Sequence, residues 1–600
     1  MYSDKNRNRA NLIQDRLKAL RAELKLRNFD AIIIYGSDPH FSEYLANRWK
    51  YRKWLSGFTG TSGTLIVTAD RAALWVDSRY FIQAANQLQD TGIEMQKIGT
   101  GLPDESWLKT VLAGNARVGV DAELVSISRF NMLKTVLAPL TVEDTGDIFD
   151  KIYTDRPSMP NSEIFLLPDE ITGKSRKEKI ADFKNTSAAN GEICIISTLD
   201  DIAWILNMRG ADITCNPLAI AFLIIESASV HLFLSSNRIS EADCKTLSND
   251  GIIIHTYNDF YACLSNISKN KTVKIDFDRT NCRIFKILND NGVKIIESSI
   301  DESIALKKSV KNTVELAGFR ECMITDGVAM LRFCKWLNEN IGKIKITETD
   351  AARKLEEYRQ SGKNFKGLSF RTISAYGANA ALPHYASIAG SDAEIKTDTF
   401  YLLDSGAQYL TGTTDLTRTM HFGEPTAEEK EDYTLVLKGM IAMSMAVFPS
   451  KTRGSQLDIL ARKFLWEKGK NYLHGTGHGV GHFLCVHEGP QSIRCEENPV
   501  ALQPGMVISN EPAIYVEGKY GLRIENLITC KEHCRTAFGN FYSFETLTLC
   551  PIDIKALDIS LMSREEICWL NDYHRKVYNL LSPHLSTDEI EYLAKSTKPL

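Results

Sequence analysis

The hydrophobic pattern of the first 300 residues alternates between helical spacing and short apolar runs. Ile13, Leu17 and Leu24 recur at the helical interval, and the apolar run at residues 31–35 has the length of a strand. A second block repeats the same order of elements about 160 residues further along the chain. We therefore predict two related α/β domains of one plan, joined by a proline-rich linker near residues 157–168.

Longer helical patterns alternate with hairpin-like strands in the rest of the chain. Asn312 or Thr313 can cap an amphipathic helix, and Thr347 with Asp350 resembles a capping box. We expect an α+β domain here, separate from the two α/β domains. The predicted division is residues 1–156 for domain I, residues 157–308 for domain II and residues 309–600 for the α+β domain.

Composition narrows the class of protein. A chain of 600 residues with 44% hydrophobic content predicts several domains, and a net charge of −4 without a long basic run argues against a nucleic-acid or anionic-membrane partner. The longest apolar run, residues 219–225, is too short to span a bilayer, and the polar first residues predict no signal peptide. Thirteen scattered cysteines favour free thiols in a reducing compartment, so we expect a cytoplasmic protein.

Two aspartates flank a predicted hairpin. Asp404 ends an apolar strand, and Asp415 follows a turn at Thr411 and Gly412. Antiparallel strands joined by that turn would present both carboxylates on one side, where they would repel each other unless a cation lies between them. The alternative at this point is two strand-end aspartates that hydrogen bond to turn backbone.

Further metal-ligand types occur in glycine-rich turns and strands downstream. His474 and His478 lie in a loop with too many glycines for a helix, while Glu511 and Glu525 each follow or occupy a predicted strand. Four carboxylates with one or two imidazoles suit a pair of hard or borderline divalent ions, manganese more than a thiolate-bound zinc.

Together these pieces resemble the "pita-bread" metallopeptidase family, and within it the cytosolic Xaa-Pro aminopeptidases. The resemblance lies in five stretches, residues 404–419, 474–481, 486–490, 510–512 and 523–526. It extends over the whole chain, because residues 57–60, 75–81 and 201–204 and the three-domain length also match the long form of these enzymes. It implies two creatinase-like α/β domains before a pita-bread α+β catalytic domain.

The resemblance implies a role for each candidate residue. It implies two divalent ions, with manganese preferred and zinc or cobalt as alternatives. Asp404 would bind one ion, Asp415 and Glu525 would bridge both, and His478 and Glu511 would bind the other, with Glu511 handling the proton of a metal-bridging hydroxide. The substrate's carbonyl, oxyanion and proline are assigned to His384, His474 and His487, each of which taken alone is more typical of a structural histidine. The pocket around proline is assigned to Phe370, Leu382 and Tyr515, and the orientation of nearby carboxylates to Arg523.

The implied activity is release of the N-terminal residue from short peptides with proline at position 2, by a cytoplasmic homodimer. One alternative is a prolidase, which shares the ligands but cleaves dipeptides and usually has one N-terminal domain. The other is a non-catalytic peptide-binding protein on the same fold, for which we would expect eroded ligands, whereas all five are present. The first 300 residues would then limit access to short, unfolded N-termini.

Overall fold

The computed structural model describes residues 2–235 and 237–600, except for the side chains of residues 2–7. The chain divides into two compact units. The first unit comprises residues 1–167, 174–214 and 218–304, and the second comprises residues 168–173, 215–217 and 305–600. No helix in the described part of the chain is long and apolar enough to cross a membrane.

The first unit begins with a six-stranded sheet in the order β4-β3-β2-β1-β5-β6. Its strands are β1 (Ala31–Tyr35), β2 (Thr64–Thr68), β3 (Ala72–Val76), β4 (Glu94–Lys97), β5 (Arg117–Val120) and β6 (Thr141–Asp144). Its α-helices are α1 (Tyr2–Leu26), α2 (Tyr51–Ser56), α3 (Phe81–Gln87), α4 (Asp104–Val111), α5 (Ile127–Leu137) and α6 (Phe149–Ile152), with 3-10 helices at Asn47–Trp49 and Ser78–Tyr80. The central strand β1 is apolar and almost wholly buried, as expected for a strand covered on both faces.

A second six-stranded sheet in the same unit follows the order β12-β11-β10-β8-β13-β14. The strands of this part of the chain are β7 (Phe165–Leu166), β8 (Ile193–Ile196), β9 (Met208–Arg209), β10 (Ala221–Ile225), β11 (Val230–Leu234), β12 (Ile252–Thr256), β13 (Thr272–Ile275) and β14 (Lys294–Glu297). Its helices are α7 (Asp169–Thr172), α8 (Arg176–Ser187), α9 (Leu199–Ile205), α10 (Glu241–Asn249), α11 (Asp259–Ser265), α12 (Cys282–Asp290) and the 3-10 helix Ile300–Glu302. The short helix α7 belongs to the second unit, and β7 pairs with β9.

Both six-stranded sheets have the same arrangement. In each, the central strand pairs antiparallel with the next strand of one arm and parallel with the first strand of the other, and the outer pairs are parallel. The prediction of two α/β domains of one plan is therefore confirmed.

The second unit mixes long helices with smaller antiparallel sheets. Its helices are α13 (Ile304–Ser309), α14 (Thr313–Asn340), α15 (Glu348–Gln360), α16 (Ala427–Ser444), α17 (Gly454–Trp466), α18 (Arg564–Leu581) and α19 (Thr587–Ser596), with 3-10 helices at Gly377–Ala381, Ile559–Leu561 and Ser582–His584. Its strands are β15 (Phe365–Leu368), β16 (Ile373–Tyr376), β17 (Phe400–Ser405), β18 (Ala407–Tyr409), β19 (Gly412–Thr413), β20 (Leu416–His421), β21 (Val447–Pro449), β22 (Gly477–His478), β23 (Ser492–Ile493), β24 (Val507–Asn510), β25 (Ala513–Val516), β26 (Tyr520–Arg523), β27 (Asn526–Thr536) and β28 (Gly539–Thr546). The sheet orders are β15-β18-β19, β16-β17-β20, β21-β28-β27-β24, β22-β23 and β25-β26.

The predicted N-terminal caps of α14 and α15 are confirmed. The Asn312 side chain accepts hydrogen bonds from the backbone N–H groups of Val314 and Glu315 at the start of α14. Thr347 and Asp350 form a reciprocal capping box at the start of α15. These caps satisfy N–H groups that the first turn of each helix leaves without a partner.

Candidate metal centre

The predicted hairpin presents two buried aspartates. Strand β17 pairs antiparallel with β20, so that Asp404 lies opposite Thr417, and Asp415 immediately precedes β20. The link between them is a second short pairing, β18 with β19. Both aspartates are almost fully buried. Oδ2 of Asp404 accepts from Arg523 and its Oδ1 accepts no hydrogen bond, so this aspartate does not hydrogen bond to turn backbone as the alternative required.

The glycine-rich loop brings His478 against β24. A Cβ on Gly477 would lie 2.0 Å from the carbonyl oxygen of Ser509, so only glycine permits this approach. The backbone N–H of His478 donates to the Ser509 hydroxyl at 2.9 Å. His478 Nδ1 lies 3.0 Å from the carbonyl oxygen of Gly479, an arrangement that requires the proton on Nδ1 and directs Nε2 toward the carboxylates.

Three other predicted ligands lie around this imidazole, namely Asp415, Glu511 and Glu525. One ligand atom each from Asp415, His478 and Glu525 lies within 4.8 Å of the other two. His478 Nε2 is 3.4 Å from Asp415 Oδ2 and 3.5 Å from Glu511 Oε1. The fifth, Asp404, joins the cluster through the guanidinium of Arg523, which also lies 3.9 Å from Glu511.

The electrostatics of the cluster call for positive charge. Burial, together with repulsion by neighbouring carboxylates, raises the pKa of Asp404 to about 7 and raises the pKa values of Glu511 and Glu525. Although burial opposes a charged imidazole, Asp415 and Glu511 raise the pKa of His478 to about 9. Oδ1 of Asp404 is buried and accepts no hydrogen bond, so it is available to a cation. Hard oxygen donors with one imidazole fit divalent ions of the manganese type.

Arg523 connects Asp404 to Tyr515 and, through it, to His474. Its guanidinium donates to Asp404 Oδ2, to Thr417 Oγ1 at 3.0 Å and to the Tyr515 hydroxyl at 2.6 Å. The Tyr515 hydroxyl is in turn 2.9 Å from Nε2 of His474. His474 Nδ1 faces the carbonyl oxygen of Gly475 at 2.7 Å and therefore carries the proton, so Nε2 accepts from Tyr515.

Of the remaining predicted residues, His487 contacts a predicted ligand, and the others are located by the elements that carry them. The ring of His487 packs against the ring of His478 with 4.2 Å between centroids. His384 and Leu382 follow the 3-10 helix Gly377–Ala381, whose backbone lies against β26, the strand that ends at Arg523. Phe370 is buried just after β15.

A supporting network around α17 was not predicted from the sequence. Arg462 donates to the carboxylate of Asp458 at 2.6 Å and to the carbonyl oxygens of Tyr472 and His474 at 2.6 and 2.8 Å. The Thr476 hydroxyl donates to Asp458 as well, and the Thr476 carbonyl accepts from the backbone N–H of Glu511. The only sequence signal is an Asp and an Arg four residues apart, a spacing typical of exposed helix pairs.

Sequence comparisons place this cluster in a known family. A sequence model of metallopeptidase family M24 matches residues 317–532, the model of its C-terminal region matches residues 540–600, and creatinase/prolidase N-terminal domain models match residues 16–152 and 155–315. A probable Xaa-Pro aminopeptidase P of Coprinopsis cinerea is 38% identical over 616 residues, which cover 97% of this chain and 98% of the relative. A probable Xaa-Pro aminopeptidase P of Tuber melanosporum is 39% identical, and the match covers 98% of this chain and 99% of the relative. The chain belongs to metallopeptidase family M24.

Solved structures agree with the M24 assignment. The X-prolyl aminopeptidase of Caenorhabditis elegans, a cytosolic enzyme with a di-nuclear active site, superposes with a TM-score of 0.93 at 34% identity. The match covers 98% of this chain and all of the other. The predicted fold, two creatinase-like domains before a pita-bread domain, is therefore confirmed.

Proposed function

We propose that this M24 protein is a metal-dependent Xaa-Pro aminopeptidase, which removes the first residue from short peptides with proline at position 2. The observation that carries the proposal is the convergence of the buried Asp415 and Glu525 with the half-buried His478 within 4.8 Å, with Glu511 beside His478. The names of the relatives above and the full-length match to an X-prolyl aminopeptidase support it.

The proposed ligand set is the one that the resemblance implied. Asp404 would hold one ion, Asp415 and Glu525 would lie between both, and His478 and Glu511 would hold the other. When bound, two divalent ions supply an acidified water and polarise the peptide carbonyl. We propose manganese as the metal, with zinc and cobalt as the alternatives that metal analysis of the purified protein would reveal.

The chain's own residues then perform proton transfer and positioning. Glu511 lies 3.5 Å from His478 and accepts a hydrogen bond from Ser509 at 3.3 Å, so its carboxylate is held facing the cluster. We assign it to accept the proton of the attacking water and return it to the prolyl nitrogen, which must be protonated as it leaves.

The substrate side is assigned to three histidines and a pocket. His384, His474 and His487 would contact the scissile carbonyl, its oxyanion and the prolyl residue. Tyr515 fixes His474 through its hydroxyl, and with Phe370 and Leu382 it would border the proline ring. Arg523 would keep the Asp404 carboxylate in place.

A pair of tripeptides tests the proposed activity. Purified protein supplied with manganese should release arginine from Arg-Pro-Pro much faster than from Arg-Ala-Ala, and chelation should stop the release. The variant Asp415→Ala should lose both bound metal and turnover. Absence of metal-dependent arginine release from Arg-Pro-Pro would contradict the proposal.

The same assay separates the proposal from a prolidase. A prolidase cleaves the dipeptide Arg-Pro and leaves Arg-Pro-Pro intact, whereas the proposed enzyme cleaves the longer peptide. A non-catalytic peptide-binding protein would bind Arg-Pro-Pro without releasing arginine from it.

Location, assembly and domain boundaries are further parts of the proposal. None of the thirteen cysteines, which all lie in the described part of the chain, forms a disulfide, and this suits a reducing cytoplasm. We propose a homodimer, which sedimentation velocity of the purified protein would test. We also keep the division at residues 156 and 308, near the junctions of the matched family models at residues 152–155 and 315–317.

A further inference from the structure

One carboxylate in the second unit is fully buried and accepts four hydrogen bonds. Glu348 is the first residue of α15. Its Oε1 accepts from the backbone N–H of Tyr376 at 2.7 Å and from the Asn379 amide at 2.9 Å. Its Oε2 accepts from the Tyr385 hydroxyl at 2.7 Å and from the backbone N–H of Ala393 at 2.9 Å. A carboxylate offers about four acceptor sites, so its capacity is used in full.

All four donors belong to a single segment, residues 376–393. They come from its beginning, its middle and its end, and the backbone of Glu348 adds a hydrogen bond from its N–H to the carbonyl oxygen of Ala393 at 3.0 Å. Residues 382–393 form turns without helix or strand. One buried side chain therefore attaches this segment at its beginning, middle and end, where regular structure does not. Arg371, which donates to the carbonyl oxygen of Ser387, and the backbone N–H of Thr349, which donates to Asp392, attach it between these points.

The segment carries two of the residues assigned to the substrate, Leu382 and His384. On its other side it lies against β26, because a Cβ on Gly521 would come within 1.8 Å of the Ala380 carbonyl oxygen. Strand β26 ends at Arg523, which donates to the metal-cluster residue Asp404. The segment is thus fixed between Glu348 and the strand that reaches the cluster.

We propose that Glu348 is a positioning residue, which sets the place of Leu382 and His384 relative to the metal cluster and thereby the preference for proline at position 2. The inference rests on the proposed function for its catalytic part. Its structural part, the dependence of the segment on one carboxylate, stands independently.

Glutamine at position 348 is the most informative change. It keeps the shape of the side chain but replaces one acceptor oxygen with an NH2 group, which donates and does not accept. In either orientation of the amide, this NH2 group would lie against a backbone N–H, that of Tyr376 or that of Ala393, which would lose its acceptor. Tyr385→Phe is the milder variant, because it removes the central hydrogen bond and leaves both ends of the segment attached. Glu357→Gln is the matched control, because Glu357 lies on the same helix, is exposed and accepts a hydrogen bond from Lys354 of that helix.

Hydrogen exchange tests whether the structure of residues 376–393 depends on Glu348, and kinetics test whether the preference for proline does. In Glu348→Gln we expect faster amide exchange in residues 376–393 and unchanged metal content. We expect kcat/KM for Arg-Pro-Pro to fall about 10- to 100-fold, as for other residues that orient site groups, with KM raised and a smaller loss for Arg-Ala-Ala. Tyr385→Phe should show the same changes at smaller size, and Glu357→Gln should match the wild type.

Several outcomes would overturn the inference. One is normal exchange protection of residues 376–393 in Glu348→Gln, and another is faster exchange with an unchanged ratio of the two tripeptide rates. If Glu348→Gln does not fold, Tyr385→Phe decides by the same two readouts. A wild type that binds Arg-Pro-Pro without cleaving it contradicts the proposed function alone. In that case the dissociation constant of Arg-Pro-Pro, measured by calorimetry for the wild type and for Glu348→Gln, decides the inference, and equal values would overturn it. A wild type that neither binds nor cleaves this peptide would overturn both the proposed function and the inference.

Discussion

Arg523 shows how much of the candidate site depends on a single side chain. Its planar fork reaches Asp404, Thr417 and Tyr515 together, and Tyr515 in turn holds His474. A guanidinium makes such hydrogen bonds in fixed directions, whereas a lysine ammonium is a point charge on a flexible stem. The charge of Arg523 and its geometry can therefore be separated by one substitution.

For Arg523→Lys we expect kcat/KM on Arg-Pro-Pro to fall about 10- to 100-fold although the positive charge remains, because the carboxylate of Asp404 and the hydroxyl of Tyr515 lose their shared partner. Steady-state kinetics with metal analysis would measure this. The control is Arg353→Lys, at an arginine whose side chain is 70% exposed, and it should change neither kcat/KM nor the metal content. Wild-type turnover in Arg523→Lys would show that only the charge matters.

At this scale the resemblance implies candidate ligands, whereas nothing in the sequence names their partners. The five candidates lie in short motifs that resemble the family, and the structure brings four of them together, Asp415, His478, Glu511 and Glu525. The acceptor of Arg523 is Asp404, more than a hundred residues earlier, and only the pairing of β17 with β20 and the approach of β26 bring the two together. No local pattern contains that information.

Elements are held together here by buried polar pairs as well as by apolar packing. Arg359 on α15 donates to both oxygens of Asp326 on α14, at 2.8 and 3.1 Å, and both side chains are almost fully buried. The Tyr409 hydroxyl of β18 adds a third hydrogen bond to Asp326 at 3.0 Å. The pair links two helices and a strand of the second unit.

Arg359→Met should destabilise the second unit by about 3–5 kcal/mol, because it leaves the carboxylate of Asp326 buried without its countercharge. The loss would appear as a lower urea midpoint of the unfolding transition. On the same helix, Arg353→Met breaks an exposed pair and should cost well under about 1 kcal/mol. Equal midpoints for the two variants would contradict a stabilising role of the buried pair.

Strand β26 and the 3-10 helix Gly377–Ala381 are close enough to exclude a side chain. In Gly521→Ala the new Cβ would meet a backbone oxygen at 1.8 Å, which cannot move aside as a flexible side chain can. We expect a loss of about 1–3 kcal/mol and reduced turnover, since β26 must shift with Arg523. Gly114→Ala, whose Cβ has its nearest neighbour at 3.5 Å, is the control. A Gly521→Ala protein with wild-type melting temperature and activity would rule out a tight contact.

The sequence predicts where a helix begins better than it predicts which side chains of the first turn are buried and hydrogen bonded in the fold. The capping box of Thr347 and Asp350 was read correctly from spacing alone. Glu348, between them, has the pattern of an ordinary acidic residue favoured by the helix dipole. Only the folded path of residues 376–393 buries it and makes it an acceptor for four donors.

On the scale of the whole molecule, the two units should differ in how much a bound metal ion contributes to their stability. The first unit has its own apolar cores around two six-stranded sheets. The second also brings together the buried Asp404, Asp415 and Glu525 and the partly exposed Glu511. Desolvation with repulsion between these carboxylates raises the pKa values of Asp404, Glu511 and Glu525. Cation binding removes that repulsion only in the folded state, so the metal should stabilise the second unit selectively.

Chelation should therefore lower the unfolding temperature of the second unit, and added manganese should restore it. At a free metal concentration of a hundred times Kd, binding contributes about 2.7 kcal/mol, which corresponds to a shift of about 4 °C for a unit of this size. Scanning fluorimetry would measure the shift, and hydrogen exchange should locate the loss of protection within residues 404–526 and leave the six-stranded sheets of the first unit unchanged. Asp415→Ala is the control, because a protein that holds no metal should not respond to the chelator. A wild type whose unfolding and exchange ignore chelation would show that the buried carboxylates are stabilised without a metal ion.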